Sequence, residues 1–345
     1  MNWDHVDWEA VHRLRDGFLT GQAGRGDYWR GVAELRTYDE TFAQRIGWKW
    51  RFVLADLVRL GWSPPPGTAL DWGCGTGIAS RLVGTQWPET ITRLVLSDRS
   101  ALAVQFAADR AREALPGVEI VAPTDATRSN CEPPATLIVS HVLGELSDGA
   151  LQGLLAVARR ARAVVWVEPG THEISRRLID VRRRLLARET ETGDEQPFAV
   201  VAPCTHQAPC GMLADGNERH WCHHFAPAPP EIHTDGNWRK FGILAGIDLR
   251  ALPLSYLVLD RRPAHCVGAG KNPPLPPGTH RVIGRPRVYN AYAHLFGCDE
   301  TGVRDYRLMK RHDADAFMAV KKDRSDPLQL WQTDGTEILH AKPLR

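Results

Sequence analysis

Residues 69–77 read Ala-Leu-Asp-Trp-Gly-Cys-Gly-Thr-Gly, and this stretch decides the class of fold. It ends a short apolar run that predicts a buried strand, and it precedes the helical pattern Ile78–Thr85. The alternating glycines let the backbone turn tightly and let a ligand approach where a β-carbon would block it. The lysine of a phosphate-cradling loop does not follow, so the turn indicates a nucleotide-like cofactor of another kind.

The chain around this turn alternates short apolar runs with longer helical patterns. Predicted strands are Thr68–Trp72, Arg93–Ser97, Val118–Val121, Thr136–His141 and Ala163–Val167, and predicted helices are Ile78–Thr85, Ala101–Leu115, Asp148–Ala161 and His172–Glu189. This alternation is typical of a parallel sheet whose strands are joined by right-handed helical crossovers. The sequence therefore predicts an α/β fold with a doubly wound, Rossmann-like sheet.

The rest of the chain divides by composition. Residues 1–62 predict an N-terminal helical segment, which we expect to complete the core of the next domain. The alternative is a lid over that domain or a partner-binding arm. Residues 63–262 form the predicted α/β domain, with an insertion at 197–237 that is rich in Pro, Gly, His and Cys. Residues 263–279 predict a Pro-rich linker, and residues 280–345 predict a small β-rich C-terminal module.

Composition and charge limit the classes of function. The net charge is only +2, so a nucleic-acid partner would need local basic patches rather than a global field. No apolar run approaches the roughly 20 residues of a membrane span, and the first residues lack the apolar core of a signal peptide. We therefore expect a cytoplasmic protein without a membrane partner, whose thiols stay reduced.

Cys204, Cys210 and Cys222 lie together in the insertion 197–237. A structureless loop of this length is improbable in a compact domain unless something organises it, and clustered thiolates commonly hold a metal or an iron–sulfur cluster. Zinc is the main alternative, and the histidines that could complete a zinc site are His206, His220, His223 and His224. The paired C-x2-4-C knuckles of many zinc sites are absent, which favours a cluster.

The glycine turn resembles motif I of class I S-adenosylmethionine-dependent methyltransferases. The cofactor-binding residues that this resemblance implies are Asp71, Gly73, Gly75, Gly77, Asp98, Asp125 and His141. In such enzymes the acid at Asp71 binds the amino-acid end of the cofactor. The acid at Asp98 accepts hydrogen bonds from the ribose hydroxyls, and the acid at Asp125 contacts the adenine amino group.

Ser140–Leu146 follows the fourth predicted strand, where methyltransferases present residues that face the substrate. The Asn/Asp-Pro-Pro-aromatic motif of base-amino methyltransferases is absent here. His141 and Glu145 are candidate acid–base groups. The alternative interpretation is a histidine that lines the cofactor pocket and a glutamate near a helix start.

Seven segments carry a more specific resemblance. They are Asp71–Gly77, His141–Leu146, Val167–Thr171, Ala202–Cys210, Trp221–His223, Ser255–Leu259 and Arg281–Arg287. Taken together, they resemble the mitoribosomal small-subunit methyltransferase-like proteins and their bacterial relatives, which are small-ribosomal-subunit assembly factors. The resemblance covers roughly residues 68–311.

This resemblance implies a 4Fe–4S cluster held by Cys204, Cys210, Cys222 and a distant fourth cysteine. Cys298 occupies the matching position, and Cys266 is the competing candidate. The resemblance also implies a protein that binds S-adenosylmethionine and acts in small-subunit assembly or rRNA modification. The alternative is an S-adenosylmethionine-dependent methyltransferase that acts on a small molecule or peptide.

Two basic regions suit contact with RNA. One lies on the predicted helix His172–Glu189 and comprises Arg176, Arg177, Arg182, Arg183, Arg184 and Arg188. The other lies in the C-terminal module and comprises Arg281, Arg285, Arg287, Lys310, Arg311, Lys321, Lys322 and Arg324. We expect rRNA as a partner, although a solvated surface would also explain these charges.

Overall fold

The computed structural model describes residues 3–19, 29–122, 132–187, 196–262 and 275–344. Their contacts divide the chain into two compact units. Unit 1 comprises Met1–Val58, Ser63–Glu168 and Ala226–Leu252, and unit 2 comprises Arg59–Trp62, Pro169–Phe225 and Pro253–Arg345. The four-part division expected from the sequence stays a prediction, because contact grouping does not test which parts fold independently.

The described residues form helices and strands in the following order. They are α1 (Trp8–Leu19), α2 (Val32–Glu40), α3 (Phe42–Arg59), β1 (Gly67–Trp72), α4 (Ile78–Gln86), β2 (Ile91–Ser97), α5 (Ala101–Ala114), β3 (Glu119–Val121), β4 (Thr136–Ser140), α6 (Asp148–Arg160), β5 (Ala163–Pro169), α7 (His172–Leu186), β6 (Ala199–Ala202), β7 (His224–Ala226), α8 (Glu231–Thr234), α9 (Gly236–Ala245), β8 (Leu252–Asp260), β9 (Thr279–Val288), β10 (Tyr292–Asp299), β11 (Gly302–Met309), α10 (Ala314–Lys321), β12 (Leu328–Asp334) and β13 (Glu337–Pro343).

Unit 1 contains a parallel sheet in the order β3-β2-β1-β4-β5. Its central strand β1 pairs with β2 and β4, so that Ala69 lies opposite Leu94 on one side and Thr136 on the other. The predicted α/β fold is confirmed, and each predicted strand and helix of this region overlaps an observed one. Strands β4 and β5 are buried along almost their whole length, as expected for parallel strands covered on both faces.

The strand order of this sheet indicates where a ligand would bind. The chain moves outward from β1 to β3 on one side and from β4 to β5 on the other, so it reverses direction between β1 and β4. Loops that leave the carboxyl ends of strands on the two sides of such a reversal diverge and open a crevice. The turns after β1 and β4 are therefore the walls of the expected cofactor cleft.

The N-terminal residues are helical, as predicted, and contribute to the core of unit 1. Helix α3 spans 18 residues and buries an apolar stripe that includes Trp50, Val53 and Leu57. A second apolar cluster joins Leu35 and Phe42 to residues of α9 such as Phe241. Within the described residues, no helix is long and apolar enough to cross a membrane.

Unit 2 contains α7, a short antiparallel strand pair and a closed β-barrel. Strand β6 pairs antiparallel with β8, which also pairs with β7. The barrel has the order β10-β11-β13-β12-β9, and its core includes Leu295, Leu308, Phe317, Trp331 and Ile338. The predicted β-rich module is thus present as a barrel, and between β6 and β7 the cysteine region forms only one short 3-10 turn, Gly211–Leu213.

Candidate functional site

A cleft of about 420 Å³ lies at the carboxyl edge of the unit 1 sheet. Its walls include the predicted site residues Gly73, Gly75, Asp98, His141 and Glu145. Aromatic and apolar side chains of the N-terminal helical region complete it, among them Tyr38 and Ile46. The structure therefore brings five of the predicted cofactor and acid–base residues to one place. Asp71 and Gly77 belong to the same strand and turn but are not among the lining residues, and Asp125 lies outside the described residues.

The glycine turn shapes the floor of the cleft. Gly73 has a φ of 71°, and a β-carbon there would lie 2.6 Å from Cγ1 of Val142. Gly75 has a φ of 52°, and a β-carbon there would meet no described atom within 4 Å. The first glycine is needed for close packing of the two turns. The second leaves space in which a ligand can approach the backbone.

Asp71 lies in β1, just before this turn, and is fully buried. Neither carboxylate oxygen has a hydrogen-bond partner of normal geometry among the described residues. The nearby Ser80 hydroxyl donates to the Gly77 carbonyl instead. Burial raises the pKa of Asp71 to about 7, and the polar neighbourhood of Ser80 opposes this rise. A buried carboxylate without a hydrogen bond of normal geometry is costly, and it is suited to receive a cationic ligand group.

Asp98 follows β2 and joins the glycine turn to the end of that strand. Its Oδ2 accepts a hydrogen bond from the Gly75 amide at 3.0 Å, and its Oδ1 accepts one from the Ser100 amide at 3.0 Å. Each carboxylate oxygen has two lone pairs, so Asp98 keeps capacity to accept hydroxyl donors from the cleft.

His141 lines the cleft just after β4, in the left-handed region with a φ of 56°. Its amide donates to the Val167 carbonyl at 2.9 Å, which fixes this backbone. Its Nε2 lies 3.2 Å from Nζ of Lys49, and its Nδ1 lies 3.2 Å from the Ser140 hydroxyl. Burial, followed by the charges of Lys49 and Arg45, holds the pKa of His141 well below its usual value. The imidazole is therefore neutral at physiological pH.

Lys49 was not among the predicted site residues. It lies in α3 and is only 1% exposed, although lysine is rarely buried without a partner. Burial lowers the pKa of Lys49 to about 7, Arg45 acts in the same direction, and Glu168 opposes them. The available signal was its position four residues before Val53, within the apolar stripe of α3.

Glu168 was likewise not predicted as a site residue. It is fully buried near the end of β5, in a strand that otherwise reads Ala-Val-Val-Trp-Val. Its Oε1 accepts hydrogen bonds from the amides of Val142 at 3.2 Å and Leu143 at 3.0 Å, and from the Trp166 indole at 2.7 Å. Burial raises the pKa of Glu168 to about 7, and these donors oppose the rise. Glu168 thus fastens the turn that carries His141.

Glu145 occupies the rim of the cleft. Its carboxylate lies 3.3 Å from Nη2 of Arg99, and both side chains are roughly one-third exposed. Burial raises the pKa of Glu145, and Arg99 opposes the rise. Its position at the rim and its ion pair distinguish it from the buried set of His141, Lys49 and Glu168.

The four cysteines implied by the resemblance meet in unit 2. Cys204, Cys210 and Cys222 line one small cavity, and Cys298 of β10 belongs to the same apolar cluster as Cys210 and Cys222. Burial raises the pKa of Cys222 well above its usual value, and the neighbouring thiols of Cys204, Cys210 and Cys298 raise it further. The competing candidate, Cys266, lies outside the described residues.

Buried arginines surround these thiols. Arg182, which is 5% exposed, donates to the Ala208 carbonyl at 2.8 Å, and Arg281, which is 2% exposed, donates to the Pro203 carbonyl at 2.9 Å. Burial raises the pKa of Cys298 as it raises that of Cys222, and the positive charges of Arg182 and Arg281 oppose these two rises, respectively. The backbone near the thiols is therefore held by positive charge, which suits an anionic group in the cavity.

These contacts change the expected basic stripe on α7. Nη1 of Arg176 donates to the carbonyls of Met212 at 3.1 Å and His220 at 3.0 Å. Arg183 and Arg184 both pair with Asp180. Since Arg182 is buried and Arg188 lies outside the described residues, the helix presents less open positive charge to a phosphate than the sequence suggested.

The histidines considered as zinc ligands lie near the thiols. Nε2 of His206 is 3.6 Å from Sγ of Cys298, and Nε2 of His224 is 3.9 Å from Sγ of Cys222. In the part of the chain that the structure describes, however, no group of three or more His, Cys, Asp or Glu side chains is arranged to hold a single metal ion.

The family of the chain follows from a sequence comparison. A family model described as mitochondrial small ribosomal subunit Rsm22 matches residues 61–324, which is most of the chain. The chain belongs to this family. The match confirms the resemblance drawn from the seven sequence segments, and it spans both the glycine turn and all four cysteines of unit 2.

Comparisons with curated proteins and with solved structures add little to this family assignment. No curated protein matches the chain. A candidate RNA methyltransferase from Pyrococcus horikoshii is 10% identical and covers 62% of this chain and 84% of its own, with a TM-score of 0.37. The magnesium protoporphyrin IX methyltransferase from Synechocystis PCC 6803 is 16% identical and covers 73% and 100%, with a TM-score of 0.36. No substrate is inferred from either neighbour.

Proposed function

We propose that this chain binds S-adenosylmethionine in the unit 1 cleft and acts in the assembly of the small ribosomal subunit. The observation that carries the ribosomal role is the match to the Rsm22 family over residues 61–324. The cleft supports the cofactor, because an open glycine turn follows directly on a buried carboxylate whose oxygens make no hydrogen bond of normal geometry with the described residues.

Different residues would bind different parts of the cofactor. The Asp71 carboxylate would receive the ammonium group of the cofactor, and Asp98 would accept hydrogen bonds from its ribose hydroxyls. The backbone at Gly75 gives the cofactor close access, and His141 forms the opposite wall. When bound, S-adenosylmethionine supplies an electrophilic methyl group.

We further propose that Cys204, Cys210, Cys222 and Cys298 hold an iron–sulfur cluster. Burial and neighbouring thiols raise the pKa of Cys210, Cys222 and Cys298, and Arg182 and Arg281 supply compensating positive charge. A four-iron cluster takes four thiolates and is larger than a single ion, so its ligands need not converge as closely as those of zinc. Such a cluster would tie the cysteine segments to strand β10.

The ribosomal role is tested by co-sedimentation of the full chain with small ribosomal subunits. We expect the protein to appear in the subunit fraction at low salt and to cross-link to its rRNA. A chain that stays in the supernatant, and that instead turns over a small acceptor with S-adenosylmethionine, would overturn the assembly role.

The cluster is tested by replacing single cysteines and measuring iron, sulfide and zinc after anaerobic purification. We expect a brown protein that absorbs near ~400 nm, as cysteine-ligated clusters do. Cys298→Ser should remove most of the iron, whereas Cys266→Ser and the cleft variant Cys74→Ser should retain it. Stoichiometric zinc in a colourless protein would contradict the cluster, and iron loss in Cys266→Ser alone would transfer the fourth-ligand role.

Methyl transfer to a small molecule or peptide is the second candidate function. The observation that favours methyl transfer is the contact of 3.2 Å between Nζ of Lys49 and Nε2 of His141, which lines the cleft. Near pH 7 a substantial fraction of Lys49 is neutral, because its pKa is lowered to about 7, so its amine can accept a proton from a methyl acceptor. Formation of S-adenosylhomocysteine with rRNA or with a small acceptor, and its loss in Lys49→Met, would identify the acceptor class.

A further inference from the structure

We infer that the C-terminal barrel binds single-stranded RNA on the outer face of β9, β10 and β11, with Tyr289 and Tyr292 as the stacking platform. The choice of RNA rests on the proposed ribosomal role. The choice of surface rests on the topology, the aromatic rings and the charges of the barrel itself.

The topology of the barrel is that of an oligonucleotide/oligosaccharide-binding fold. Counted from its own first strand, the closed order is 1-2-3-5-4-1, because β9 pairs with both β10 and β12. The third and fifth strands, β11 and β13, run parallel, and all other neighbouring pairs are antiparallel. Helix α10 lies between the third and fourth strands. Proteins with this fold bind ligands on the face of strands 2 and 3 and with the loop between strands 1 and 2.

The register shows which side chains share that face. Ala293 and Leu295 of β10 point into the barrel core. Since side chains alternate along a strand, Tyr292, His294 and Phe296 point outward. His294 lies opposite Arg307 of β11 and opposite Arg287 of β9, so a basic row crosses all three strands.

An exposed aromatic group lies beside this row, toward the start of β10. The rings of Tyr289 and Tyr292 stack at 4.7 Å with an angle of 21°, and the His294 ring stands edge-on to Tyr292 at 5.5 Å. Tyr289 is 48% exposed, which is unusual for a large aromatic side chain. By contrast, Phe296, two residues after His294 on β10, is covered by the His220 ring at 4.8 Å.

The charge around the aromatic group is positive. Exposed basic side chains near this face are Arg287, Arg307, Lys310 and Arg311, and the acids among them are Asp305 and the partly buried Glu337. Arg287 and His294 both contact Asp305, which orients them on the face. An uncharged oligosaccharide would gain nothing from these cations, whereas a phosphate backbone would.

The combination favours a single strand over a duplex. Unpaired bases can stack on exposed aromatic rings, while the bases of a duplex are already stacked on one another. Positively charged side chains beside the rings would then follow the backbone of the strand.

The inference is tested by fluorescence anisotropy of the full chain with a labelled single-stranded RNA and with the matching duplex. We expect the single strand to bind more tightly. The variant Tyr289→Leu/Tyr292→Leu keeps apolar side chains but removes the rings, and it should weaken single-strand binding about 10-fold or more. The variant Tyr289→Phe/Tyr292→Phe keeps the rings and should bind like the wild type.

A matched charge control lies on α10, away from the face, where Lys321→Ala/Lys322→Ala should have little effect. Equal binding of duplex and single strand, or unchanged binding by a folded leucine variant, would overturn the inference. The outcomes separate it from the ribosomal role. If the leucine variant still co-sediments with small subunits and binds RNA as tightly as the wild type, only the inference about the barrel face is wrong. If RNA binding depends on the rings but the protein does not co-sediment with small subunits, only the ribosomal role is wrong.

Discussion

Single buried ionisable side chains determine how the unit 1 cleft responds to pH. Asp71, Lys49 and Glu168 each have a pKa near 7, although they start from very different ordinary values. The common cause is burial, which disfavours the charged form of an acid and of a base alike. We therefore expect small changes in pH near 7 to change the protonation of these three buried groups.

Asp71 gives the clearest pH prediction. A cationic ligand group favours its carboxylate form, so binding below about pH 7 should release a proton, and affinity should rise as the pH increases through this value. Calorimetric titration with S-adenosylmethionine in buffers of different ionisation enthalpy would measure the released proton. Asp71→Asn should bind weakly and with little pH dependence, whereas a pH dependence equal to that of the wild type would exclude Asp71 as the titrating group.

Glu168 supports a prediction about stability. Glu168→Ala leaves the Val142 and Leu143 amides and the Trp166 indole without their acceptor, so it should lower the free energy of unfolding by about 2–4 kcal/mol. Glu168→Gln keeps an acceptor oxygen and resembles the protonated acid, so its loss should be about 1 kcal/mol or less. Urea unfolding would compare the two variants, and equal losses would contradict the acceptor role.

Residue-scale features were the hardest to predict from the sequence. Asp71 and the glycines could be assigned because their spacing is local and defines a turn. Lys49 and Glu168 were missed because their burial depends on how α3 and the turn after β4 meet, which no local pattern records. Cys298 was reached only by the family resemblance, since spacing along the chain does not reveal that β10 lies beside Cys222.

At the scale of elements, the turn between β1 and α4 couples backbone shape to ligand binding. Gly73→Ala places a methyl group 2.6 Å from Val142 at a positive φ, so it should lower both stability and S-adenosylmethionine affinity. Gly153→Ala is the matched control, because a β-carbon on that α6 glycine meets no described atom within 4 Å. The control should keep affinity and gain about 0.5–1 kcal/mol of stability. Thermal unfolding with and without the cofactor would check both variants.

Helices and strands whose apolar residues form one clear pattern along the chain were predicted well, and irregular segments were not. Strands β4 and β5 of unit 1 are buried apolar runs, so their positions follow from the local sequence. The C-terminal module was predicted only as β-rich, because the pairing of β11 with β13 joins strands separated by a helix. The 197–237 insertion has no regular apolar pattern, so the sequence predicted only that something must order it. In the structure, short strands and backbone carbonyls bound by arginines contribute to that order.

At the scale of the whole molecule, the small net charge limits how RNA can be bound. A chain of net charge +2 has no strong long-range field, so binding should depend on the few cations of the barrel face. With Arg287, Arg307, Lys310 and Arg311 each contacting one phosphate, the logarithm of affinity should fall with the logarithm of salt concentration with a slope of about −3. Anisotropy titrations at several salt concentrations would measure it. A slope near zero, or one far steeper, would contradict this set of contacts.

The left-handed backbone of His141 places strain at the wall of the cleft. A non-glycine residue in this region carries strain on the order of 1–3 kcal/mol when the surroundings hold it there. The hydrogen bond from the His141 amide to the Val167 carbonyl is one of the contacts that hold it. The cleft therefore presents this imidazole in a fixed position before a ligand enters.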